Sequence, residues 1–498
     1  MATLATPAGE QASGHRPWPR LLVDAHAWET ATEALAEGRW TLSGLWGDEK
    51  TVHMAAQLEQ SDLRVLSLHC PEGHFPSVGL WHPPAIRLER TIDDLFGLVP
   101  RGALDGRPWL DHGHWDLRHP LGARQSGGTP NSYPFLSAEG EGIHQIAVGP
   151  VHAGIIEPGH FRFHANGETV VRLEARLGYT HKGIETLMRG ADLGRAATLA
   201  GRVSGDSAVA YAIAFARAAE AALGAKVPAR AHWLRALMAE LERLANHLGD
   251  IGAICNDASF SLMPAHCGIL RELVLRTSRV CFGHRLMRDC VVPGGIAYDL
   301  DMPNFPVLRT LVHEIRKRLP ELVTLYDNTA SLQDRTVATG ILKPELALKF
   351  GAGGYVGRAS GRDFDARRDF PYPPYDRLSF NVPLLHEGDV NARVWLRIHE
   401  VDQSLALIDQ ILDGLPHGPL CVPVEPQAGE GLALVEGFRG DILVWLRLDH
   451  TGRVARCHLR DPSWFQWPLL EAAIEGNIVA DFPLCNKSFN CSYSGCDL

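Results

Sequence analysis

The sequence predicts an α+β protein, with an N-terminal α/β module followed by a larger, mainly helical domain that carries a small β-sheet portion. Three observations support this. The 498 residues exceed what one ordinary core supports, so two or more domains are expected. Short apolar runs mix with Pro and Gly in the first quarter of the chain, whereas beyond Glu141 long segments repeat apolar residues every three or four positions. The stretch LGARQSGGTPNSYPFLSAEG, rich in Gly, Ser and Pro, separates the two regimes.

In chain order, residues 1–20 lack the apolar centre of a signal peptide and are expected to form a disordered lead-in. The α/β module is assigned to 21–121. Within it LRVLSLHC (63–70) and FPSVGLWHP (75–83) are expected to pair as strands, and LERTIDDLFGLVP (88–100) to form a helix and exit turn. Residues 122–140 are the predicted linker and 141–498 the second domain. That domain begins with two or three strands divided by Gly and Pro, in IHQIAVGPVHAGIIEPGHFRFHANGETVVRLEARLGYTHKG (143–183).

Helices follow. Ala208 to Ala225, the most apolar stretch, is interrupted by Arg217 and Glu220 and is expected to form a buried amphipathic helix. In PARAHWLRALMAELERLANHL (228–248), Leu234, Leu237, Met238, Leu241, Leu244 and Leu248 share one face, and Pro228 suits the start. PVLRTLVHEIRKRLPELVTLYDN (306–328) and VWLRIHEVDQSLALIDQILDGLP (394–416) repeat the pattern, the second stopping at Gly414 and Pro416. A strand-rich exit is expected after them.

Composition excludes several functions. Apolar residues make up 45% and charged residues 21%, as in a packed globular protein. The net charge of −10 argues against nucleic-acid binding, which needs a basic face. No run of about 18 uncharged apolar residues occurs, so membrane contact is expected to be peripheral and made through partner subunits. Of ten cysteines, Cys70, Cys255, Cys267, Cys281, Cys290, Cys421 and Cys457 show no CxxC spacing, which fits a reducing cytoplasm rather than a disulfide framework. Cys485, Cys491 and Cys496 crowd the C-terminus. No HExxH marks a zinc site, and no GxGxxG follows a strand.

Six blocks occur in order: ERTIDDLFGL (89–98), GPVHAGIIEPGHFRF (149–163), LGYTHKGIE (177–185), VVPGG (291–295), QDRTVATG (333–340) and RASGRDFDARRDFPYPPYD (358–376). The first resembles the ERxxxDLFGI signature of the 30-kDa-type module of respiratory complex I. The others are similar to the complex I 49-kDa subunit and to the large subunit of group 4 membrane-bound NiFe hydrogenases of the formate hydrogenlyase and hydrogenase-4 type. The last block matches RGSGxxxDxRKxxPYxxYD without a gap.

What the resemblance implies depends on the residues at the family's working positions. Hydrogenases hold nickel with two CxxC pairs, because soft thiolates suit that metal. The first pair falls in RxCGxC, which here reads Arg202-Val203-Ser204-Gly205-Asp206-Ser207. The second falls in SxDPCxxCTxR, and an ungapped match puts Ser492 and Gly495 at its cysteines, with Cys491 and Cys496 one residue outside. Nickel is therefore not expected, nor is any other metal. The quinone-holding Tyr of the complex I DRxDY segment corresponds to Gly205. Its quinone-holding His corresponds to His152 or His160, and the Asp partnering that His to Asp257. A His–Asp pair tunes a proton donor near neutral pH. Glu185 matches a proton-relaying carboxylate, for which a raised pKa is expected. Arg358, Asp365 and Arg367 lie in the block that approaches the cavity, where Arg can hold an oxygen in bidentate fashion or form an architectural ion pair.

The resemblance thus implies a core oxidoreductase subunit, NADH dehydrogenase-like, that couples electron transfer to a quinone or similar acceptor and to proton movement. This chain is expected to bind no cofactor, and iron–sulfur clusters to reside in partners. Those partners are an iron–sulfur small subunit, a ferredoxin-like subunit and antiporter-like membrane subunits, with the assembly on the cytoplasmic face of the inner membrane. The alternatives are a non-catalytic scaffold of a hydrogenase-related complex and a hydrogenase with non-standard ligands.

Overall fold

The computed structural model of the protein describes residues 8–59, 61–127, 132–152 and 156–498. It confirms a mixture of helix and sheet. Its N-terminal sheet has five strands in the order Glu10–Gln11, Arg20–Val23, Asp62–His69, Thr51–Glu59, Thr41–Asp48. Helices Ala25–Ala36 and Ile86–Phe96 accompany it, the first capped by the Asp24 carboxylate, which accepts the Ala27 N–H at 2.8 Å. Asp62–His69 forms as expected, but its partners are Thr51–Glu59 and Arg20–Val23. Of the second expected strand only Phe75–Pro76 is extended, within a strand His74–Pro76 that pairs with Val99–Arg101.

The lead-in is not disordered where it is described. Glu10–Gln11 extends the N-terminal sheet, and His15–Arg16 runs parallel to Gly429–Gly437 as the edge of the C-terminal sheet. Arg20 Nε reaches Glu430 at 2.8 Å beside this contact. The contacts of His15–Arg16 and Arg20 with the C-terminal sheet span more than four hundred residues, so no local pattern announces them. Residues 1–7 of the expected lead-in and 128–131 of the expected linker lie outside the described residues.

The second part opens with a three-stranded antiparallel sheet, Ile143–Val148, His160–Asn166 and Thr169–Arg176. Helices Ala208–Leu223, Ala229–Asp257, Leu262–Phe282, Asn304–Asn328 and Val390–Gly414 form the body. Pro228 directly precedes the longest of them, as its fixed φ favours. The sequence then returns to sheet, with Gly429–Gly437, Gly440–Leu448 and Val454–Arg460. Helix Ala208–Leu223 lies so close to this sheet that a Cβ at Gly431 would sit 1.9 Å from the Ala218 carbonyl oxygen, so only glycine fits. The two large sheets share a core: Trp46, Ala55, Leu63 and Val65 pack with Leu432, Leu434, Leu443 and Trp445. The N-terminal module is therefore built onto the C-terminal sheet.

Candidate functional site

Two loops distant in sequence meet at the end of the helical body. Ser204 follows helix Leu193–Ala200, and Ser492 caps the short helix Tyr493–Asp497, accepting the Gly495 N–H at 2.9 Å. Their hydroxyl oxygens are 3.0 Å apart. Ser204 donates to Asp206 Oδ1 at 2.7 Å, so the proton between the two serines belongs to Ser492. Arg439, from the turn of the C-terminal sheet, grips both oxygens of Asp206. Burial alone would raise the pKa of Asp206, but Arg439 and the Ser204 hydroxyl outweigh it and hold it down to about 2. The result is a directed chain from the Gly495 N–H through two hydroxyls to a permanently ionised carboxylate.

This chain forms one wall of a cavity of about 690 Å³. Helices Ala229–Asp257 and Leu262–Phe282 supply Asn246, Asp250 and Arg271, and the C-terminal segment supplies Lys487, Asn490, Cys491 and Tyr493. Asp250 is held by the Asn490 amide at 3.0 Å, Lys487 at 3.3 Å and Arg397 at 3.3 Å. A smaller, mainly apolar chamber of about 190 Å³, lined by Leu241, Ala245, Leu275, Leu286 and Met287, shares Gly205, Asp206, Asn246 and Arg271 with the larger cavity. At the junction, a Cβ on Gly205 would meet only Arg288 Nη2, at 3.6 Å.

Glu242 also lines the chamber. Its carboxylate accepts the N–H groups of Val209 and Ala210 at 2.7 and 3.0 Å. Burial raises its pKa to about 8, against those two bonds, and ionised Asp206 nearby adds to the rise. Its burial thus favours the protonated carboxyl at neutral pH.

The family model described as respiratory-chain NADH dehydrogenase, 49 Kd subunit, matches residues 263–426 and 422–498, and that of nickel-dependent hydrogenase matches 182–249. Formate hydrogenlyase subunit 5 of Escherichia coli K12 is 33% identical over 436 residues, 85% of this chain and 77% of that protein. The chain belongs to the complex I 49-kDa and NiFe-hydrogenase large-subunit family. The carbon monoxide-induced hydrogenase of Rhodospirillum rubrum is 32% identical, covering 70% of this chain and 97% of its own. An NADH-quinone oxidoreductase subunit of Dehalococcoides mccartyi is 32% identical, over 68% of this chain and 93% of its own. Among solved structures, a chain of the membrane-bound sulfane sulfur reductase, an archaeal respiratory membrane complex, superposes with a TM-score of 0.68 at 26% identity, over 72% of this chain and 99% of that one. As a member of this family the chain is an oxidoreductase subunit that works within a complex.

The residues at the family's nickel positions do not fit that metal. Ser204 and Ser492 face each other, but hydroxyls with pKa values far above neutral cannot replace thiolates. At the fourth position the space is filled: a Cβ on Gly495 would lie 2.4 Å from Asp461 Oδ2 and 2.9 Å from Ser492 Oγ. Asp461 is fully buried and accepts the Tyr211 hydroxyl at 2.7 Å, so it cannot swing away freely. Gly495→Ala is therefore expected to destabilise the protein by about 1–3 kcal/mol through overpacking. Thermal unfolding of the purified complex checks this, and an unchanged midpoint would show that Asp461 yields. Cys491 and Cys496 are buried, and burial pushes both thiols up, the reverse of what a thiolate ligand requires.

Other sequence-derived candidates divide sharply. His152 Nε2 lies 3.2 Å from the hydroxyl of cavity-lining Tyr493, whereas His160 packs on Phe135 with ring centroids 5.0 Å apart and points away from it. No hydrogen bond joins Asp257 to either histidine among the described residues, so the expected His–Asp pair is not formed. Asp257 closes its helix beside cavity-lining Asn256 without joining the lining itself, whereas Asp250 and Asp206 are among the carboxylates that do.

Glu185 is buried, but its expected raised pKa is not found. Burial pushes it up, yet Arg456 at 2.8 Å and the His458 ring at 3.0 Å reverse this and hold it down to about 2. It lies against Phe96 and Trp464, away from the cavity lining. Arg358, Asp365 and Arg367 do not line the cavity either. They form an interior ion cluster with Glu240, Glu400 and Glu436, in which Arg367 Nη1 meets Glu240 at 3.0 Å and Arg358 Nη1 meets Glu436 at 3.1 Å. Of the two roles open to these residues, the structure shows the architectural one.

Sequence reasoning missed Asp206, Arg439, Asp250 and Glu242. Asp206 adjoins Gly205 and is the only carboxylate in its segment, which was a usable signal. Arg439 sits in a hairpin turn and carries no local signal at all.

Proposed function

We propose that this chain is the core subunit of a membrane-associated, complex-I-like oxidoreductase in which electrons from an iron–sulfur partner reduce a quinone or an acceptor of similar size. The single observation that carries this reading is the 690 Å³ cavity where the loops at the family's metal-ligand positions converge, walled by a hydroxyl chain and joined at Gly205 to an apolar side chamber. A subunit that had lost all chemistry would have no reason to keep polar groups converging on an open volume of this size. Reduction of a quinone takes up protons, and protonated Glu242 beside ionised Asp206 is placed to donate one.

No helix is long and apolar enough to cross a membrane among the described residues. Attachment on the cytoplasmic face would go through antiporter-like membrane subunits, with iron–sulfur clusters held by a small subunit and a ferredoxin-like subunit. The relatives named above, parts of a hydrogenlyase and of a respiratory membrane complex, support membrane-subunit partners.

The test is quinone-dependent oxidation of a reduced donor by the purified complex, alongside elemental analysis. Reduction of a short-chain quinone without stoichiometric nickel is the expected result, and Gly205→Trp, which fills the chamber mouth, should abolish it while subunit composition stays normal. An intact complex that reduces no acceptor would establish a scaffold, and one nickel per complex would overturn the reading altogether.

A further inference from the structure

A separate cleft, of about 410 Å³, lies between the N-terminal module and the strand Thr169–Arg176. Arg176 ends that strand and is only 7% exposed, yet no carboxylate lies within 4.0 Å of its guanidinium among the described residues. None of the undescribed residues 1–7, 60, 128–131 and 153–155 is an Asp or Glu. Its Nε is 3.4 Å from His112 Nε2, but that nitrogen lies 2.7 Å from the Leu177 carbonyl oxygen and must donate there. It therefore has no lone pair for Arg176. The face of Tyr133 lies 3.8 Å from the guanidinium carbon.

Its neighbours show how the same protein treats an arginine it wants neutralised. Arg90 meets Asp105 at 3.0 Å and two carbonyls, and Arg107 meets Asp105 at 2.6 Å and Glu174 at 2.7 Å. The carboxylates on the cleft wall are bonded to backbone rather than to Arg176: Asp94 Oδ2 accepts the N–H groups of Trp109 and Leu110 at 2.7 Å each, and Asp111 Oδ1 that of Gly113 at 2.7 Å. Arg118, an exposed residue of the lining, has no side-chain hydrogen-bond partner among the described residues, and Ser132 adds a hydroxyl. A buried, unpaired guanidinium is costly unless something anionic compensates it. Donors from several directions suit a tetrahedral oxyanion with more than two oxygens, and an arginine fork binds such a group bidentately.

We propose that this cleft binds a phosphate group, gripped by Arg176 and closed over by Arg118. A free phosphate-bearing molecule and a phospholipid headgroup share this chemistry. The site is separate from the acceptor cavity and does not depend on the proposed reaction.

The purified complex is titrated with inorganic phosphate at constant ionic strength against chloride, reading its unfolding temperature, and separately with phosphatidylglycerol or phosphatidylcholine vesicles, reading sedimentation. Saturable stabilisation by phosphate is expected, lost in Arg176→Gln and weakened about tenfold in Arg118→Gln, whose position on the surface leaves folding intact. Arg176-dependent binding to phosphatidylglycerol vesicles without a response to free phosphate would identify the headgroup as the source and still support the site. No saturable response to either, or one that survives Arg176→Gln, would overturn it and leave the guanidinium to water alone.

Discussion

Arg358→Met is expected to destabilise the assembled protein by about 3–5 kcal/mol, because it removes the cation at the centre of a fully buried ion cluster. Arg358 is wholly inaccessible and contacts Glu400, Glu436 at 3.1 Å and Asp365 at 3.4 Å. Glu400 also accepts the His247 ring N–H at 2.7 Å, and burial keeps that imidazole neutral, so it supplies no replacement charge. Methionine fills much of the arginine's volume, so the loss reports charge rather than a cavity. Arg276→Met is the control: its pair with Glu272 at 2.8 Å is solvent-exposed, and its loss should stay within about 0.5 kcal/mol. Denaturant midpoints of the two variants decide the matter, and equal shifts would mean that the cluster is not the support claimed for it.

Glu242→Gln should lower acceptor turnover at neutral pH by about 100-fold or more, the usual effect of losing a positioned proton donor. The same substitution has a thermodynamic signature that does not depend on turnover. With its pKa raised from 4.5 to about 8, the folded carboxyl keeps its proton where the unfolded chain has released it. The stability contributed by this group therefore falls as pH rises from about 4.5 to about 8, then levels off. Glutamine removes that slope, so the variant should gain on its parent as pH rises from about 4.5 to about 8 and hold that gain above it. Glu185→Gln should behave oppositely. Its carboxylate is depressed to about 2 and contributes stability that is present above about 4.5 and lost as pH falls through 2. Removing it strands Arg456, so stability should drop while the pH profile of turnover keeps its shape. A Glu185→Gln complex with a displaced pH profile would restore the relay role to that residue.

Much of the architecture was legible in the sequence. The helices at 229–257, 304–328 and 390–414 were announced by apolar residues at three- and four-residue spacing, and a strand-rich opening and ending of the second domain by Gly and Pro turns between β-formers. The absence of thiolates at the family's metal positions was equally plain, because it concerns which atoms exist and not where they lie. Block order alone was enough to assign the family.

Tertiary structure alone decided the rest. Whether a carboxylate relays protons or anchors a cation depends on what faces it. Glu185 is held ionised by Arg456 and His458, which arrive from a strand some 270 residues away. Glu242 acquired a raised pKa because the fold buries it, with ionised Asp206 nearby, and two backbone N–H bonds and the charge of Arg243 do not offset that. His152 and His160 could not be separated by spacing, since both lie in one hairpin, and only the approach of Tyr493 distinguishes them. The lead-in became ordered by pairing with Gly429–Gly437, and Gly495 owes its missing side chain to Asp461. Residue type and periodicity are local properties that the sequence states directly, whereas protonation, pairing and free volume are set by whichever distant groups the fold brings within a few ångströms.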